Sequence, residues 1–580
     1  MHRFRAEWIA AALTCFLAFP VQAGQHKPLS HEKRTVVPVD TLFIHGKVIT
    51  ADERFSIRSV VAVRDGRIVA VGGPLLARNF RAKQVIDLHG RVLMPGFNDT
   101  HVHLIAQEPR AIDVGHARSI AQVQAMLAAK ARALGPGEWI TGSGWDEAQF
   151  AEKRNLSRGD LDAAAPDNPV ALVRAGAHSV AGNSRAFALA KIDPATPEPE
   201  RGLIERDAAG LPTGIIRERT DLLLSLVPPT PPEVMRPLWD KALRDLLALG
   251  ITSLGEALSF IDDEPVGQGG SGKPGNRHTW RDFQAIYAKD GENLPRATIY
   301  ISYPGPERLK QFPHHTGYGD DRLKLGPIGE FPAVDGGFTG PTAWTSADYK
   351  GLPGFRGAAM TRGDELEAMI RDARDRGWQL GIHAIGDAAI TELGRAYSKV
   401  LDEKPMADHR WFAAHYTMLP PPDTLRLFAG HKVWAAIQPN FLYNLEGRYN
   451  QTLDGARLEH INPTASLIRA GIPTVLGSDN LPIGPMVGLY AAITRKGPSG
   501  HVYAADEAIS RAQAITLYTA KAAWLTRDER KKGSIEKGKL ADMIVLDADI
   551  LTIPAEQILT TRVDMTMVGG RIVFDRQSAP

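Results

Sequence analysis

The middle of this 580-residue chain alternates short apolar runs with segments long enough for a helix. Strands buried on both faces of a parallel sheet give such nearly continuous apolar runs. Their alternation with helical segments predicts a parallel sheet covered by helices. There are eight runs, the number that closes a (β/α)8 barrel, and they end near Asp99 and at Glu256, Ser302, Glu330, His383, His415, Gln438 and Asp479.

Two further regions accompany the predicted barrel. Residues from about 105 to 239, between the first and second runs, are too many for one helical crossover. They also contain strand-like runs at 139–142 and 170–173, so we expect an inserted domain. Both chain ends are rich in β-branched runs and turn signals, such as Asp65-Gly66 and Gly569-Gly570. The predicted fold class is α/β: a TIM-like barrel at 94–526 with this insertion, plus a small β-sandwich domain built from residues 38–93 and 527–580.

The first residues have the pattern of a signal peptide. Basic residues precede an apolar run at 8–20, and Val21-Gln22-Ala23 offers a cleavage site of small residues. A membrane span needs about 20 apolar residues, more than this run has. We therefore predict a signal peptide at 1–23, a linker at 24–37, and an exported, periplasmic bacterial protein without a stable membrane span. The alternative is an uncleaved anchor or a buried helix.

The composition of the chain limits the partners and the metal ligands that can be expected. Lys and Arg number 68 against 66 Asp and Glu, so the charge balance does not favour a nucleic-acid partner. Hydrophobic residues at 43% and charged residues at 23% exclude a mainly disordered chain. The single cysteine, Cys15, leaves neither a disulfide framework nor a cysteine-based zinc site. A metal ion would have to be held by His, Asp, Glu or a modified Lys.

Histidines and one aspartate end several of the predicted barrel strands. His101 and His103 are two residues apart at the end of the first strand, so both imidazoles can face one ion. His383, His415 and Asp479 end three other strands. Any one of these histidines alone is more typical of a structural residue. Together they favour a metal site, because the carboxyl ends of barrel strands converge on one mouth.

These motifs resemble the metal-dependent amidohydrolase superfamily. The resemblance rests on Pro95-Gly96-Phe97 with His101-Val-His103, on His383-Ala-Ile-Gly-Asp387, on His415 and on Gly477-Ser-Asp479. It extends to 142–146, 165–170, 533–542 and 568–573, and covers roughly residues 38–576. Within the superfamily, the chain is most similar to the branch of N-substituted formamide deformylase-like and D-aminoacylase-like enzymes, amidohydrolase family 3.

The resemblance implies a distorted barrel with one or two divalent ions, commonly Zn²⁺. It implies that His101 and His103 bind one ion, and that His383 and His415 bind the other. Asp479 would bind the first ion and shuttle a proton from the attacking water to the leaving amine. A bound divalent ion lowers the pKa of water to about 7 and polarises a carbonyl, which suits this division of roles. The ligand types also leave Mn, Fe and Ni open.

The fourth predicted strand departs from the family pattern. Many relatives place a carboxylated lysine at its end, where the carbamate bridges two metal ions. Here the strand ends in Gly329-Glu330, and we predict Glu330 as the bridging ligand because a carboxylate also offers two oxygens. Lys324 is the fallback, but it lies six residues earlier, about 20 Å along an extended strand. The alternative is a single ion, with Glu330 outside its ligands.

Weaker candidates lie around this set. His178, Trp145 and Asp146 are predicted to line the substrate pocket from the insertion, although His178 is as readily structural. Asp387, four residues after His383, either orients a ligand or caps the helix that follows.

The combined prediction is a hydrolase of non-peptide carbon–nitrogen bonds, with a small N-formyl or N-acyl amine or related amide as substrate. One alternative keeps the metal site but assigns ester, lactone or carbamate hydrolysis. Another alternative is a non-catalytic metal-binding protein of the same fold. The presence of Asp479 disfavours this alternative. The sequence leaves the oligomeric state open, although an exposed edge of the small β-domain could pair with a second copy in a homodimer.

Overall fold

A computed structural model describes residues 36–106, 108–175, 179–200, 202–262 and 278–578. The predicted signal peptide at 1–23, most of the predicted linker and His178 lie outside the described residues. Among the helices that the structure describes, none combines the length and apolar character needed to cross a membrane.

Seven strands form the first part of the described chain. Four of them build a sheet in the order β5-β4-β1-β6, and the other three belong to a second sheet completed by the chain's end. Their bounds are β1 (Val37–Ile44), β2 (Lys47–Ile49), β3 (Ile57–Arg58), β4 (Val60–Arg64), β5 (Arg67–Gly72), β6 (Phe80–Asp87) and β7 (Val92–Pro95).

The chain then enters the barrel through β8 (Phe97–Val102) and leaves it for a separate six-stranded sheet. That sheet has the order β13-β14-β12-β11-β10-β9 and carries four helices. Its strands are β9 (Ala111–Asp113), β10 (Ile140–Trp145), β11 (Val170–Arg174), β12 (Ser179–Gly182), β13 (Leu203–Arg206) and β14 (Pro212–Arg217). The helices are α1 (Ile120–Leu134), α2 (Arg158–Ala164), α3 (Ser184–Leu189) and α4 (Asp221–Leu224).

Seven more parallel strands complete the barrel sheet in sequence order after β8. They are β15 (Ile251–Ser259), β16 (Arg296–Ile301), β17 (Leu323–Glu330), β18 (Leu380–Ala384), β19 (Phe412–His415), β20 (Trp434–Ile437) and β21 (Thr474–Leu476). These are the eight apolar runs found in the sequence. The predicted fold class is confirmed.

Helices cover the outside of this sheet and fill its connections. They are α5 (Pro232–Leu247), α6 (Trp280–Asp290), α7 (Pro306–Gln311), α8 (Gly363–Asp375), α9 (Asp387–Glu403), α10 (Pro422–Gly430), α11 (Asn440–Asn444), α12 (Glu446–Thr452), α13 (Gly455–Glu459), α14 (Thr464–Arg469), α15 (Pro485–Thr494), α16 (Arg511–Tyr518) and α17 (Ala520–Leu525). Helix α5 begins at Pro232 and buries Trp239 in the barrel's core. The boundary expected near residue 239 therefore falls inside a barrel helix.

The seam between β8 and β21 is closed by polar groups rather than by a regular strand ladder. Thr100 Oγ1 donates to Leu476 O at 3.0 Å, and Ser478 N donates to Asp99 Oδ1 at 2.9 Å. Asp479 N donates to His101 O at 2.7 Å. These bonds hold the first and last barrel strands side by side at their carboxyl ends.

The small β-domain is built from both chain ends, as predicted. Strands β22 (Met543–Leu546), β23 (Val563–Val568) and β24 (Arg571–Asp575) extend the second sheet in the order β24-β23-β22-β7-β2-β3. The antiparallel pairing of β22 with β7 joins the two ends. Apolar side chains of both sheets, among them Phe43, Val61 and Met567, form one buried cluster between them.

A buried ion pair ties this domain to the base of the barrel. Arg296, the first residue of β16, donates from Nε to Asp542 Oδ2 at 2.6 Å and from Nη2 to Oδ1 at 3.0 Å. Gly569 N donates to the same carboxylate at 2.7 Å. Burial works to raise the pKa of Asp542, but the charge and hydrogen bonds of Arg296 lower it overall.

Replacing Asp542 with Asn should lower the free energy of unfolding by about 3–5 kcal/mol, because it leaves the buried Arg296 without its counter-charge. The urea unfolding midpoint at neutral pH measures the loss. The double variant Arg296→Met/Asp542→Leu should regain most of it, since it removes both charges. Asp542 stabilises the folded state above its unfolded pKa, and this stabilisation is lost as the pH falls through its lower folded pKa. Acidification should therefore remove this stabilisation from the wild type but not from Asp542→Asn. Equal stability of Asp542→Asn and wild type would contradict this role.

Candidate metal centre

The six predicted ligands lie together at the carboxyl end of the barrel. Their ligand atoms form three overlapping groups, each with its atoms within 4.8 Å of one another. The groups are His101 with His415 and Asp479, His101 with His103 and Glu330, and Glu330 with His383 and His415. All six residues are buried.

Glu330 lies in the middle of the four imidazoles. Its Oε1 is 2.9 Å from His383 Nδ1 and 2.7 Å from His415 Nε2. Its Oε2 is 3.2 Å from His103 Nε2, and His101 Nε2 lies 3.7 Å from Oε1. The two carboxylate oxygens therefore face different histidines.

Asp479 completes the cluster from the other side of the seam. Its Oδ1 lies 3.4 Å from His103 Nε2 and accepts a hydrogen bond from Asn480 N at 2.6 Å. The backbone of Asp479 has a φ of 60°, and that of His415 has a φ of 77°. Such left-handed conformations are costly for residues with a side chain and are often found at functional sites.

Two of the predicted ligand histidines have a polar side chain near the ring nitrogen that faces away from Glu330. Gln438 Oε1 lies 2.9 Å from His415 Nδ1, so an N–H at Nδ1 can donate to it and leave Nε2 free as a metal donor. Asp335 Oδ1 lies 3.8 Å from His383 Nε2. The Asp335 carboxylate is itself fixed by the backbone N–H groups of Trp344, Ile385 and Gly386, at 2.8, 2.9 and 2.8 Å.

Burial and mutual charge set the protonation of the cluster. Burial lowers the pKa of His101 to about 3 and so keeps this imidazole neutral, the form in which a histidine can bind a metal ion. Burial also opposes charge on His103, but Glu330 and Asp479 raise the pKa of His103 to about 9. Burial works to raise the pKa of Glu330. The pKa nevertheless lies well below its usual range, because the carboxylate is stabilised by the charge of His103 and by hydrogen bonds from His103, His383 and His415.

This donor set fits a divalent cation. His101 Nε2 and His103 Nε2 face each other at 3.4 Å, beside two carboxylates that attract positive charge. Nδ1 of both residues is buried without a hydrogen-bond partner among the described residues. Zn²⁺ and neighbouring transition metals accept imidazole and carboxylate ligands, and an ion bound here would replace the proton that Glu330 and Asp479 favour on His103.

Comparison with known sequences decides the family. A profile described as the amidohydrolase family matches residues 84–574. The chain belongs to the amidohydrolase family. It is accordingly a hydrolase that acts on carbon–nitrogen bonds, and the predicted family and enzyme class are confirmed.

Relatives of this amidohydrolase match along nearly the whole chain. YtcJ of Bacillus subtilis (strain 168), named as an amidohydrolase, is 28% identical over 547 residues, covering 92% of this chain and 98% of its own. The N-substituted formamide deformylase of Arthrobacter pascens is 28% identical over 559 residues, covering 93% and 98%. The crystal structure of an uncharacterized metal-dependent hydrolase from Pyrococcus horikoshii OT3 covers 89% of this chain and 99% of its own, with a TM-score of 0.68 and 22% identity. The structural likeness shows a shared fold.

Three of the weaker candidates, Trp145, Asp146 and Asp387, lie within the described residues and form hydrogen bonds with residues other than the six predicted ligands. Trp145 is buried in the core of the insertion, where its indole N–H donates to Leu172 O at 3.2 Å, so its position does not favour contact with substrate. Asp146 accepts a hydrogen bond from Arg448 Nη2 at 2.7 Å and thus joins the insertion to α12. Asp387 begins α9 and accepts from Ser346 N at 2.9 Å. It therefore fixes the loop before α8 rather than a ligand histidine.

Two residues at this site were not predicted as functional. Asp335 follows the fourth strand in an irregular loop, and no spacing rule connects it with His383. Gln438 ends the predicted seventh strand, and its polar side chain at the barrel mouth is the signal that could have identified it.

The fallback ligand Lys324 lies at the opposite end of the barrel. It is near the start of β17, whereas Glu330 ends that strand. Its Nζ donates to Asp528 Oδ2 and to Thr526 O, each at 2.5 Å. Lys324 is thus a structural cation beside the small β-domain and is too remote for a bridging carbamate.

Replacing Lys324 with Met should leave the metal content per chain unchanged, because the side chain does not reach the ligand cluster. Lys532 still lies 3.3 Å from Asp528 and can offset the lost charge. Elemental mass spectrometry on the purified variant measures the content. A loss of metal in the folded variant would return Lys324 to the list of ligands.

Proposed function

We propose that this amidohydrolase cleaves the amide bond of a small N-formyl or N-acyl amine with water, at a site that holds two divalent ions. The observation that carries the proposal is the arrangement of Glu330, whose two oxygens face different histidines. The relative named as an N-substituted formamide deformylase supports this class of substrate.

His101, His103 and Asp479 would hold one ion, and His383 with His415 the other, with Glu330 between them. Zn²⁺ is our proposed metal, because the ligands are imidazoles and carboxylates. A bound divalent ion supplies Lewis acidity, which polarises a carbonyl and makes water a stronger acid. Gln438 keeps the Nε2 atom of His415 directed at the site, and the Asp335 carboxylate lies 3.8 Å from Nε2 of His383.

Asp479 would carry the proton during hydrolysis. Its carboxylate lies beside His103, and its backbone N–H is fixed to His101 O at 2.7 Å. The carboxylate accepts a proton as the water oxygen attacks the substrate carbonyl carbon. It then donates this proton to the amine nitrogen as the carbon–nitrogen bond breaks. One carboxylate can thus act first as a base and then as an acid.

Export to the periplasm is part of the same proposal. It is supported by the sequence of residues 1–23 alone, which has the basic, apolar and small-residue segments of a signal peptide.

Replacing Glu330 with Ala should reduce the metal content from two equivalents per chain to one or fewer, because both ion positions lose a shared ligand. Elemental mass spectrometry on mature protein purified without added metal gives the count. Lys324→Met serves as the control from the same strand. One equivalent in wild type and variant alike would point to a mononuclear enzyme that does not need Glu330.

Replacing Asp479 with Asn should preserve much of the bound metal while lowering turnover of N-formyl amines at least about 10²-fold, the usual contribution of a general acid–base group. Release of the free amine measures turnover, and a panel of N-acyl amines, esters and lactones identifies the preferred bond. A wild-type rate in this variant would rule out the proton shuttle. Turnover of esters but not amides would favour the alternative substrate class.

A further inference from the structure

Glu256 is a buried acid that has no part in the proposed hydrolysis. It lies in β15, the second barrel strand, and its side chain is fully shielded from solvent. Taking a carboxyl group out of water costs free energy unless its oxygens are hydrogen-bonded. The partners of Glu256 therefore indicate what this residue contributes.

The main partner of Glu256 is the backbone next to a ligand histidine. Its Oε2 accepts a hydrogen bond from Leu104 N at 2.6 Å, and its Oε1 accepts one from Leu258 N at 3.1 Å. Leu104 directly follows His103. The carboxyl group thus connects the second strand to the segment that presents His103.

Strand pairing explains why a side chain is needed at this point. The pairing of β8 with β15 ends where Val102 lies opposite Glu256, and β8 itself ends at Val102. His103 and Leu104 continue beyond the last ladder pair. The Glu256 carboxyl group accepts from Leu104 N in place of a backbone carbonyl. The backbone is thus fixed before His103 by the strand pairing of Val102 and after His103 by the hydrogen bond of Leu104.

A second set of contacts restrains Glu256 itself. His278 Nε2 lies 3.5 Å from Glu256 Oε1, and His278 Nδ1 lies 3.0 Å from Ser259 Oγ. The rings of Trp239 and Phe283 pack edge-on against the His278 imidazole, with centroids at 5.4 and 4.9 Å. The carboxyl group of Glu256 therefore has the His278 imidazole as a second neighbour, and the two aromatic rings limit the movement of that imidazole.

We infer that Glu256 is a positioning residue for the metal centre, which directs His103 toward the ion through its hydrogen bond with Leu104 N. The inference rests on the proposed metal site. It assigns a role to the second barrel strand, which contributes no ligand of its own.

The test compares Zn²⁺ affinity, measured by competition with a chromophoric chelator, in wild type, Glu256→Gln, Glu256→Asp and Glu256→Leu. The Leu variant has no acceptor, and the Asp variant keeps the acid but is too short to reach Leu104 N. Both should bind Zn²⁺ about 10–100-fold more weakly, the usual effect of losing an outer partner of a metal ligand. Glu256→Gln keeps one oxygen for Leu104 N, while its NH2 group replaces the acceptor of Leu258 N, so its Zn²⁺ affinity should stay closer to wild type than that of the Leu or Asp variant.

Glu507→Leu is the matched control for stability. Glu507 is an equally buried glutamate that binds Ser466 N at 2.9 Å, away from the six ligands. This variant should lower the thermal midpoint while the folded protein keeps its Zn²⁺ affinity. The visible absorption of the Co²⁺-substituted protein adds a second readout, since it should change in Glu256→Asp and not in Glu507→Leu.

Wild-type Zn²⁺ affinity in folded Glu256→Asp would overturn the inference while leaving the metal site in place. An affinity loss in Glu256→Gln equal to that in Glu256→Asp would also overturn it, because the acceptor is then not what matters. Absence of Zn²⁺ binding in the wild type would instead overturn the proposed function, and with it this inference. If Glu256→Leu does not fold, the Asp and Gln variants still decide between these results.

Discussion

The burial of Glu330 among four imidazoles is the interaction on which the rest of the candidate site depends. A lone carboxylate loses several kcal/mol of hydration when it is buried, and only nearby positive charge and hydrogen bonds recover this loss. His103, His383 and His415 all lie within 3.2 Å of it. These contacts draw the ends of strands β8, β17, β18 and β19 toward one point. The same demand for positive charge makes the cluster receptive to a divalent cation.

The remainder of the protein keeps those strand ends in register. The seam bonds fix Asp479 against His101, and Gln438 lies within hydrogen-bond distance of Nδ1 of His415. The Asp335 carboxylate lies 3.8 Å from Nε2 of His383. At the other end of the barrel, Arg296 and Lys324 pair with Asp542 and Asp528. Charges are thus buried at both ends of the sheet. Those at the base are neutralised by arginine and lysine side chains, whereas those at the mouth lie among imidazoles and form the candidate metal site.

Much of this arrangement could be predicted from the sequence, because parallel strands covered on both faces read as apolar runs. A polar residue that ends such a run is placed at the barrel mouth by the fold itself, which is why His383, His415 and Asp479 could be predicted to lie together. The position of Glu330 followed from the same rule. The roles of these six residues in binding metal stay predictions.

Other parts of the site could not be predicted for physical reasons. Asp335 acts from an irregular loop, where neither periodicity nor spacing restricts the position of a side chain. Trp145 lies in a sheet packed on both faces, so alternation carries no information about which way its ring points. The predicted insertion extends to about residue 239 although α5 already begins at Pro232, because a proline-rich segment before a helix has the composition of a linker.

The seam between β8 and β21 also sets the order in which the molecule can be completed. Thr100 and Leu476, whose bond closes the barrel, are separated by 376 positions in the chain. At a synthesis rate of about 5–20 residues per second, about 20–75 s pass between the synthesis of β8 and that of β21. The interval is longer for strand β7, which pairs with β2 on one side and with the much later β22 on the other. During these intervals, each of these two strands has one edge of unpaired backbone N–H and C=O groups, the kind of edge through which partly made chains aggregate.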